Sequence, residues 1–255
     1  PRILRLKIVR VADGEVFPVT RPEFRDVAPA FDPEGRYLYF LSYRDFDPVY
    51  DNMFFDLNFP RGMRPYLVTL REDVPSPFVP EPRPPHEGAG RKKKGRKTGE
   101  ELDSPEPRPV KSVKIDLENI PERVLAFPVE EGRYGRVEGM ADKVLFTSYP
   151  VVGSLGSKPS SESEPGGRGT LVSFNLKTRE RKDILSRVSS FRLSGDGRTL
   201  VCLSGRRLRV LPAGKKPEEK SVNRPGRKSG WIDLARIRPA ILPGREWEQM
   251  YREAW

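Results

Sequence analysis

The 255-residue sequence predicts an all-β protein: a partial β-propeller of about three and a half four-stranded blades with a short C-terminal α-helix. Three observations carry that expectation. One strand–turn–strand segment recurs without gaps, and each copy is followed by two further strand candidates. A composition of 36% hydrophobic and 33% charged residues, with 27 prolines, demands many short elements joined by turns. A compact helical bundle would need longer uninterrupted runs.

The recurring segment is PAFDPEGRYLYFLS, from Pro29 to Ser42, which aligns with FRLSGDGRTLVCLS, from Phe191 to Ser204. Phe31 matches Leu193, Gly35 matches Gly197, Leu38 matches Leu200 and Ser42 matches Ser204. In each copy an acidic residue followed by glycine, Glu34-Gly35 or Asp196-Gly197, supplies the positive φ that a two-residue hairpin connection demands. EGMADKVLFTS, from Glu138 to Ser148, is a weaker third copy in which Ala141 stands where the turn glycine would be.

Two more strands follow each copy after a variable loop. The first is followed by RPYLVTL (Arg64 to Leu70) and RVLAFPV (Arg123 to Val129). Next in chain order come TLVSFNL (Thr170 to Leu176) and RKDILS (Arg181 to Ser186), and then RLRVLPA (Arg207 to Ala213) and WIDLARI (Trp231 to Ile237). Ahead of them all, ILRLKIV and GEVFPVT flank the turn Ala12-Asp13-Gly14 and read as the last two strands of a preceding unit. Four-strand repeats of this kind are propeller blades, each needing neighbours to cover both faces of its sheet. Propellers close with about 4 to 8 blades, so three and a half are expected to belong to a longer protein or to an unusual solubilised fragment.

The expected organisation is a partial propeller over 1–242 and the start of a helical domain over 243–255. Low-complexity inserts at about 79–112, 157–169 and 213–230 fall between blade strands and are expected to be disordered at their centres.

The net charge of +11 suggests nucleic acid until it is located. Six positive charges fall in RKKKGRK, from Arg91 to Lys97, within a stretch rich in Pro, Gly and Glu that reads as a solvated loop. Stacking aromatics are missing around it and Glu100 to Asp103 follow closely, so a specific nucleic-acid role is disfavoured. The lone Cys202 lies in the apolar run LVCLS and reads as a core residue in a reducing compartment. No apolar run approaches the ~20 residues that cross a bilayer, and the N-terminus lacks a signal pattern. A soluble cytoplasmic protein without membrane contact is expected.

Catalytic, cofactor and metal residues are all expected to be absent from this chain. The only histidine, His86, sits among prolines and glycines and reads as an exposed loop residue, and one Cys with one His cannot form a zinc cage. DFDPVYDNMFFD groups Asp45, Asp47, Asp51 and Asp56, but not at EF-hand spacing. It reads as a structured blade loop anchored by Phe46, Tyr50, Phe54 and Phe55, with weak calcium binding as the alternative. Arg192, on a first strand, and Arg206 and Arg207, clustered with Arg209 by the last blade, are candidates for lining a central channel; a solvated edge is the competing reading.

The block FDPEGRYLYFLSYRDFDPVYDNMFFDLNFPRGMRPYLVTLREDVPSPFVPE (Phe31 to Glu81) resembles the tricorn protease family of cytoplasmic serine peptidases. The likeness continues in VKIDLENIPERVLAFPVEEGRYGRVEGMADKVLF (Val113 to Phe146), in FRLSGDGRTLVCLSGRRLRVLPAG and in KSGWIDLARIRPAILPGREWEQMYREAW. It implies a multi-domain enzyme with a six-bladed and a seven-bladed propeller followed by helical, PDZ-like and catalytic domains. This chain would supply the later blades of the seven-bladed propeller, the channel by which unfolded peptides reach a buried site, and the entry into the helical domain. The serine nucleophile, histidine base and supporting Ser and Glu of the family match no position here. The resemblance implies peptide substrates, the parent's remaining domains and further copies of the full-length chain as partners, and no cofactor. The alternative is a non-catalytic propeller scaffold that binds proteins or peptides.

The last stretch, GREWEQMYREAW, places Trp247, Met250, Tyr251, Ala254 and Trp255 on one helical face, with Glu248 and Arg252 as an outward i,i+4 pair. Its apolar stripe requires packing, because isolated helices below about 12–15 residues are marginal.

Overall fold

The strands are short because turn residues interrupt them every few positions, and they assemble into successive small antiparallel sheets. The computed structural model describes residues 3–46, 48–50, 57–58, 61–79, 113–150, 167–214, 217, 224–238 and 242–254. A leading pair, β1 (Lys7–Val9) and β2 (Val16–Pro18), is the expected half blade. The first complete blade has the order β3 (Arg25–Phe31), β4 (Tyr37–Tyr43), β7 (Met63–Thr69) and β8 (Val124–Ala126), with a small hairpin, β5 (Val49–Tyr50) and β6 (Leu57–Asn58), inserted between β4 and β7. The second runs β9 (Arg133–Met140), β10 (Lys143–Tyr149), β11 (Gly169–Asn175) and β12 (Arg181–Val188). The third contains β13 (Ser190–Leu193), β14 (Thr199–Ser204) and β15 (Arg207–Pro212).

Period-two alternation decides how these sheets stack. Tyr37, Tyr39 and Leu41 of β4 join Val144 and Phe146 of β10 in one buried cluster, whereas Leu38 and Phe40 of β4 join Leu6 and Val19 of the half blade in another. Leu145 of β10 turns the opposite way, into a third cluster with Phe191, Leu200, Cys202 and Leu211 of the last blade. A strand buried on both faces therefore reads as a continuous apolar run, as YLYFLS and VLFT do. Each large apolar side chain placed in these seams contributes about 1.5–3 kcal/mol. The stacking is that of a propeller, sheet against sheet around an axis.

The turns depart from expectation in an instructive way. In both gapless copies the connection has four residues: Asp32 N–H donates to the Tyr37 carbonyl and Gly35 N–H to the Asp32 carbonyl, and Ser194, Thr199 and Gly197 repeat the same bonds. Gly35 and Gly197 do adopt positive φ, at 68° and 69°. The two-residue turn occurs only in the weak copy, between Met140 and Lys143, where Asp142 takes φ 57°. Asp is among the non-glycine residues that enter the left-handed region most readily.

The aligned serines both bond outside their own strands, but to different neighbours. Ser42 Oγ donates to Asp26 of β3, and Ser204 Oγ donates to the Arg187 carbonyl just ahead of β13, each at 2.5 Å. Ser42 thus ties β4 to β3 of its own blade, whereas Ser204 ties β14 to β12, the last strand of the preceding blade.

One further expectation is revised. WIDLARI does not form a fourth strand: only Trp231 bridges to Arg209, after which Asp233 accepts the Ala235 N–H at 3.1 Å and caps a 3-10 turn over Leu234–Arg236. The local Asp bond competes with the ladder. The inserts are ordered where they rejoin the blades. Phe78 packs its ring on Phe127 at 5.0 Å and Phe174 at 6.2 Å, Gly169 begins β11, and Ser229 is buried in a 224–230 turn with its Oγ donating to the Arg224 and Gly226 carbonyls. Most of the three inserts, with His86 and Arg91 to Lys97, lies outside the described residues.

The C-terminal helix α1 (Pro243–Ala254) forms as expected, with Arg252 bonded to Glu248 at 2.5 Å. Its apolar stripe is exposed, Trp247 at 70%, Met250 at 64% and Tyr251 at 69%. Trp255 lies outside the described residues.

Candidate functional site

A propeller presents its first strands to its axis, so the site is built from β3, β9 and β13. Tertiary contacts place β9 between the other two. The β3–β9 approach depends on a missing side chain: a Cβ on Gly139 would stand 2.6 Å from the Tyr39 ring and 3.1 Å from Pro33. Tyr39 in turn donates its hydroxyl to buried Asp32 at 3.2 Å, and Asp32 also accepts Arg36 N–H and Nε. Burial and the adjacent Asp32 carboxylate push the Tyr39 phenol far above its usual range. Arg36 reaches Asp142 of the second blade at 3.6 Å. The Lys177 ammonium, 2.6 Å from Asp142, holds that carboxyl below its ordinary value.

The β9–β13 approach is joined by Glu138. Its Oε2 accepts the Leu193 N–H at 2.7 Å, its Oε1 accepts Arg136 Nε at 2.5 Å, and Arg192 Nη1 stands 3.7 Å away. The inner strands expose Arg25, Arg133, Ser190 and Arg192.

Of the three candidate lining cations, Arg192 alone is carried by an inner strand, with its side chain 71% exposed. Arg206 is exposed in the β14–β15 turn, and Arg207 begins β15 with its guanidinium 4.0 Å from the Trp231 ring centroid. Arg209 lies 5.1 Å from the same centroid and donates to the Ser229 carbonyl; burial lowers its pKa. The structure therefore separates one inner-strand cation from two that sit further out in the blade.

The remaining candidates acquire specific places. Cys202 is buried at 2% exposure, and burial pushes its thiol up to about 11. Asp45 pairs with Arg64 at 3.0 Å, and Asp47, Asp51, Asp56, Phe54 and Phe55 lie outside the described residues. Phe46, expected as an anchor, is 78% exposed. Tyr50 belongs to β5. Among the described residues no group of three or more His, Cys, Asp or Glu is placed to hold a metal ion, and no helix is long and apolar enough to cross a membrane.

Comparison with known proteins decides the family. The profile of the tricorn protease second beta propeller domain matches residues 1–214. The chain belongs to the tricorn protease second β-propeller family. Two tricorn protease homologs of Streptomyces coelicolor are 37% and 34% identical to it over 99% of this chain, and a tricorn protease homolog of Saccharolobus solfataricus is 34% identical over 95%. The chain spans about a fifth of these relatives, 21%, 23% and 20% of their lengths. The crystal structure of the tricorn protease matches with a TM-score of 0.70 at 22% identity, over 98% of this chain and 21% of that one, a likeness of fold. Within this tricorn-family propeller, Glu138 and Gly139 are the residues that pattern reading overlooked. A carboxylate and a glycine on a first strand give no local sign of the blade they will meet.

Proposed function

We propose that this chain forms part of the wall of a substrate channel in a cytoplasmic serine peptidase of the tricorn type, passing unfolded oligopeptides to catalytic groups outside this chain. The observation that carries the reading is the side-by-side placement of β3, β9 and β13, fastened at Gly139 and Glu138, with Arg25, Arg133, Ser190 and Arg192 exposed on these inner strands. Membership of the second-propeller family supports it. The inner strands are edge strands of their sheets, and the stretches of β3 and β13 not already bonded to Leu4 or Glu138 suit an extended chain of any sequence, which a channel requires. In the same reading 243–255 opens a helical domain, supported by the exposed stripe of α1, and the full-length protein assembles with copies of itself.

The test uses the full-length protein and fluorogenic peptides of increasing length. A serine-directed inhibitor should abolish hydrolysis. Ser190→Trp, which adds bulk to the inner arc, should slow long peptides more than dipeptides. Hydrolysis that resists the inhibitor and needs a metal, or a Ser190→Trp protein slowed equally for every length, would overturn the proposal. A full-length protein without any peptidase activity would favour the scaffold alternative.

A further inference from the structure

The charge of the chain is concentrated in its third blade. Residues 190–238 contain thirteen Lys and Arg against four Asp and Glu, a net +9 of the total +11, so the remainder is near neutral even with Arg91 to Lys97 included. The structure gathers much of this charge at the outer edge of the blade and its β14–β15 end. Arg207 and Arg209 hold Trp231 by their guanidinium groups, which docks the 224–230 turn, with Arg224, Arg227 and Lys228, against β15. Ser204 ties the Arg187 backbone to the same end, beside the turn that carries Arg206. The 3-10 turn that replaces the fourth strand then adds Arg236 and Arg238. Arg206, Arg224, Arg227, Lys228, Arg236 and Arg238 are exposed, and no carboxylate among the described residues forms an ion pair with them.

We infer that this edge is a docking surface for an acidic polypeptide segment that also carries apolar side chains. Like charges held together without counter-charges raise the local potential and favour an anionic partner. Arginine forks pair carboxylates in bidentate fashion. The apolar requirement comes from 232–238, where Ile232 (44%), Leu234 (41%) and Ile237 (65%) are exposed among the cations. A phosphate backbone would leave those side chains uncovered. Trp231, the aromatic residue of the surface, already carries Arg207 and Arg209 against its ring and is not open for base stacking.

The test measures fluorescence anisotropy of a labelled twelve-residue peptide of alternating Glu and Leu against the full chain at low salt. Binding should weaken by about tenfold or more between 50 and 200 mM salt, as screening shortens the reach of the surface charge. The Arg206→Glu, Arg227→Glu, Lys228→Glu combination should weaken it by about tenfold or more through like-charge repulsion. Arg236→Gln with Arg238→Gln, outside the sheet, gives a second reading should the triple variant misfold. Deleting 91–97 should leave binding unchanged. Retained affinity in the charge variants, loss of affinity on deleting 91–97, equal binding of a Gln-Leu peptide, or tighter binding of a duplex DNA of equal charge would each overturn the assignment.

Discussion

The Glu138 carboxylate of β9 accepts the Leu193 N–H of β13 at 2.7 Å, so that one side chain joins the inner strands of neighbouring blades. The bond is charge-assisted and its acceptor is mostly buried, with 13% of the side chain exposed. Such bonds contribute about 1.5–3 kcal/mol. Glu138→Ala should therefore lower unfolding free energy by roughly that amount and speed hydrogen exchange of the Leu193 amide. Glu138→Gln, which keeps an acceptor oxygen, should lose less. Unchanged exchange at Leu193 in Glu138→Ala would show that the bond does not hold the seam.

Gly139 and Gly197 separate two reasons for glycine. At Gly197 a Cβ meets open space but the backbone has φ 69°, so Gly197→Ala should cost about 1 kcal/mol from conformation alone. At Gly139 the backbone is ordinary and a Cβ would strike the Tyr39 ring of the adjacent blade. Overpacking of this kind costs about 1–3 kcal/mol. Pairing Gly139→Ala with Tyr39→Leu should recover part of the loss, whereas the same pairing with Gly197→Ala should recover none. Denaturant titrations of the four variants would show whether the two positions differ in this way.

Phe78 fastens the start of the first insert across two blades through its contacts with Phe127 and Phe174. Its partial burial places Phe78→Ala at about 1–3 kcal/mol, below the 3–5 typical of a fully buried phenylalanine. Limited proteolysis should then cut sooner between Glu72 and Val79. An unchanged digestion pattern would argue against an anchoring role.

Cys202 supplies the pH dependence. Burial pushes its thiol up to about 11, above the usual 9.0. The folded state thus favours the protonated form. The associated stability is fully present below about pH 9 and is lost as pH rises towards 11, by on the order of 2–3 kcal/mol. Cys202→Ala should remove this dependence from a series of thermal melts. In the native protein at pH 8 a thiol reagent should react only as fast as the blade opens, and a rate matching free cysteine would contradict the burial.

How much of the fold was legible follows from the range of the signals. Leu38, Phe40, Tyr37 and Tyr39 announce a strand buried on both faces through alternation alone, and the positive φ at Gly35 and Gly197 is readable from the dipeptides that contain them. The fourth strand of the last blade was misread because WIDLARI has strand composition, whereas Asp233 captures a nearby backbone N–H and starts a turn instead. Phe46 looked like an anchor by residue type and is exposed. Phe78, just ahead of the first insert, carried no local sign of its role, since its partners Phe127 and Phe174 lie far along the chain.

The sequence by itself determined the repeating four-strand units, the places where glycine must turn the chain and the family to which the propeller belongs, because alternation and turn chemistry act over a few residues. Only the tertiary structure decided that Glu138 would meet Leu193, that Gly139 would admit Tyr39, and that Arg206, Trp231 and the 224–230 turn would gather at one edge. Those relationships depend on how neighbouring blades pack and register. That is a property of whole sheets, and residues close in sequence cannot encode it on their own.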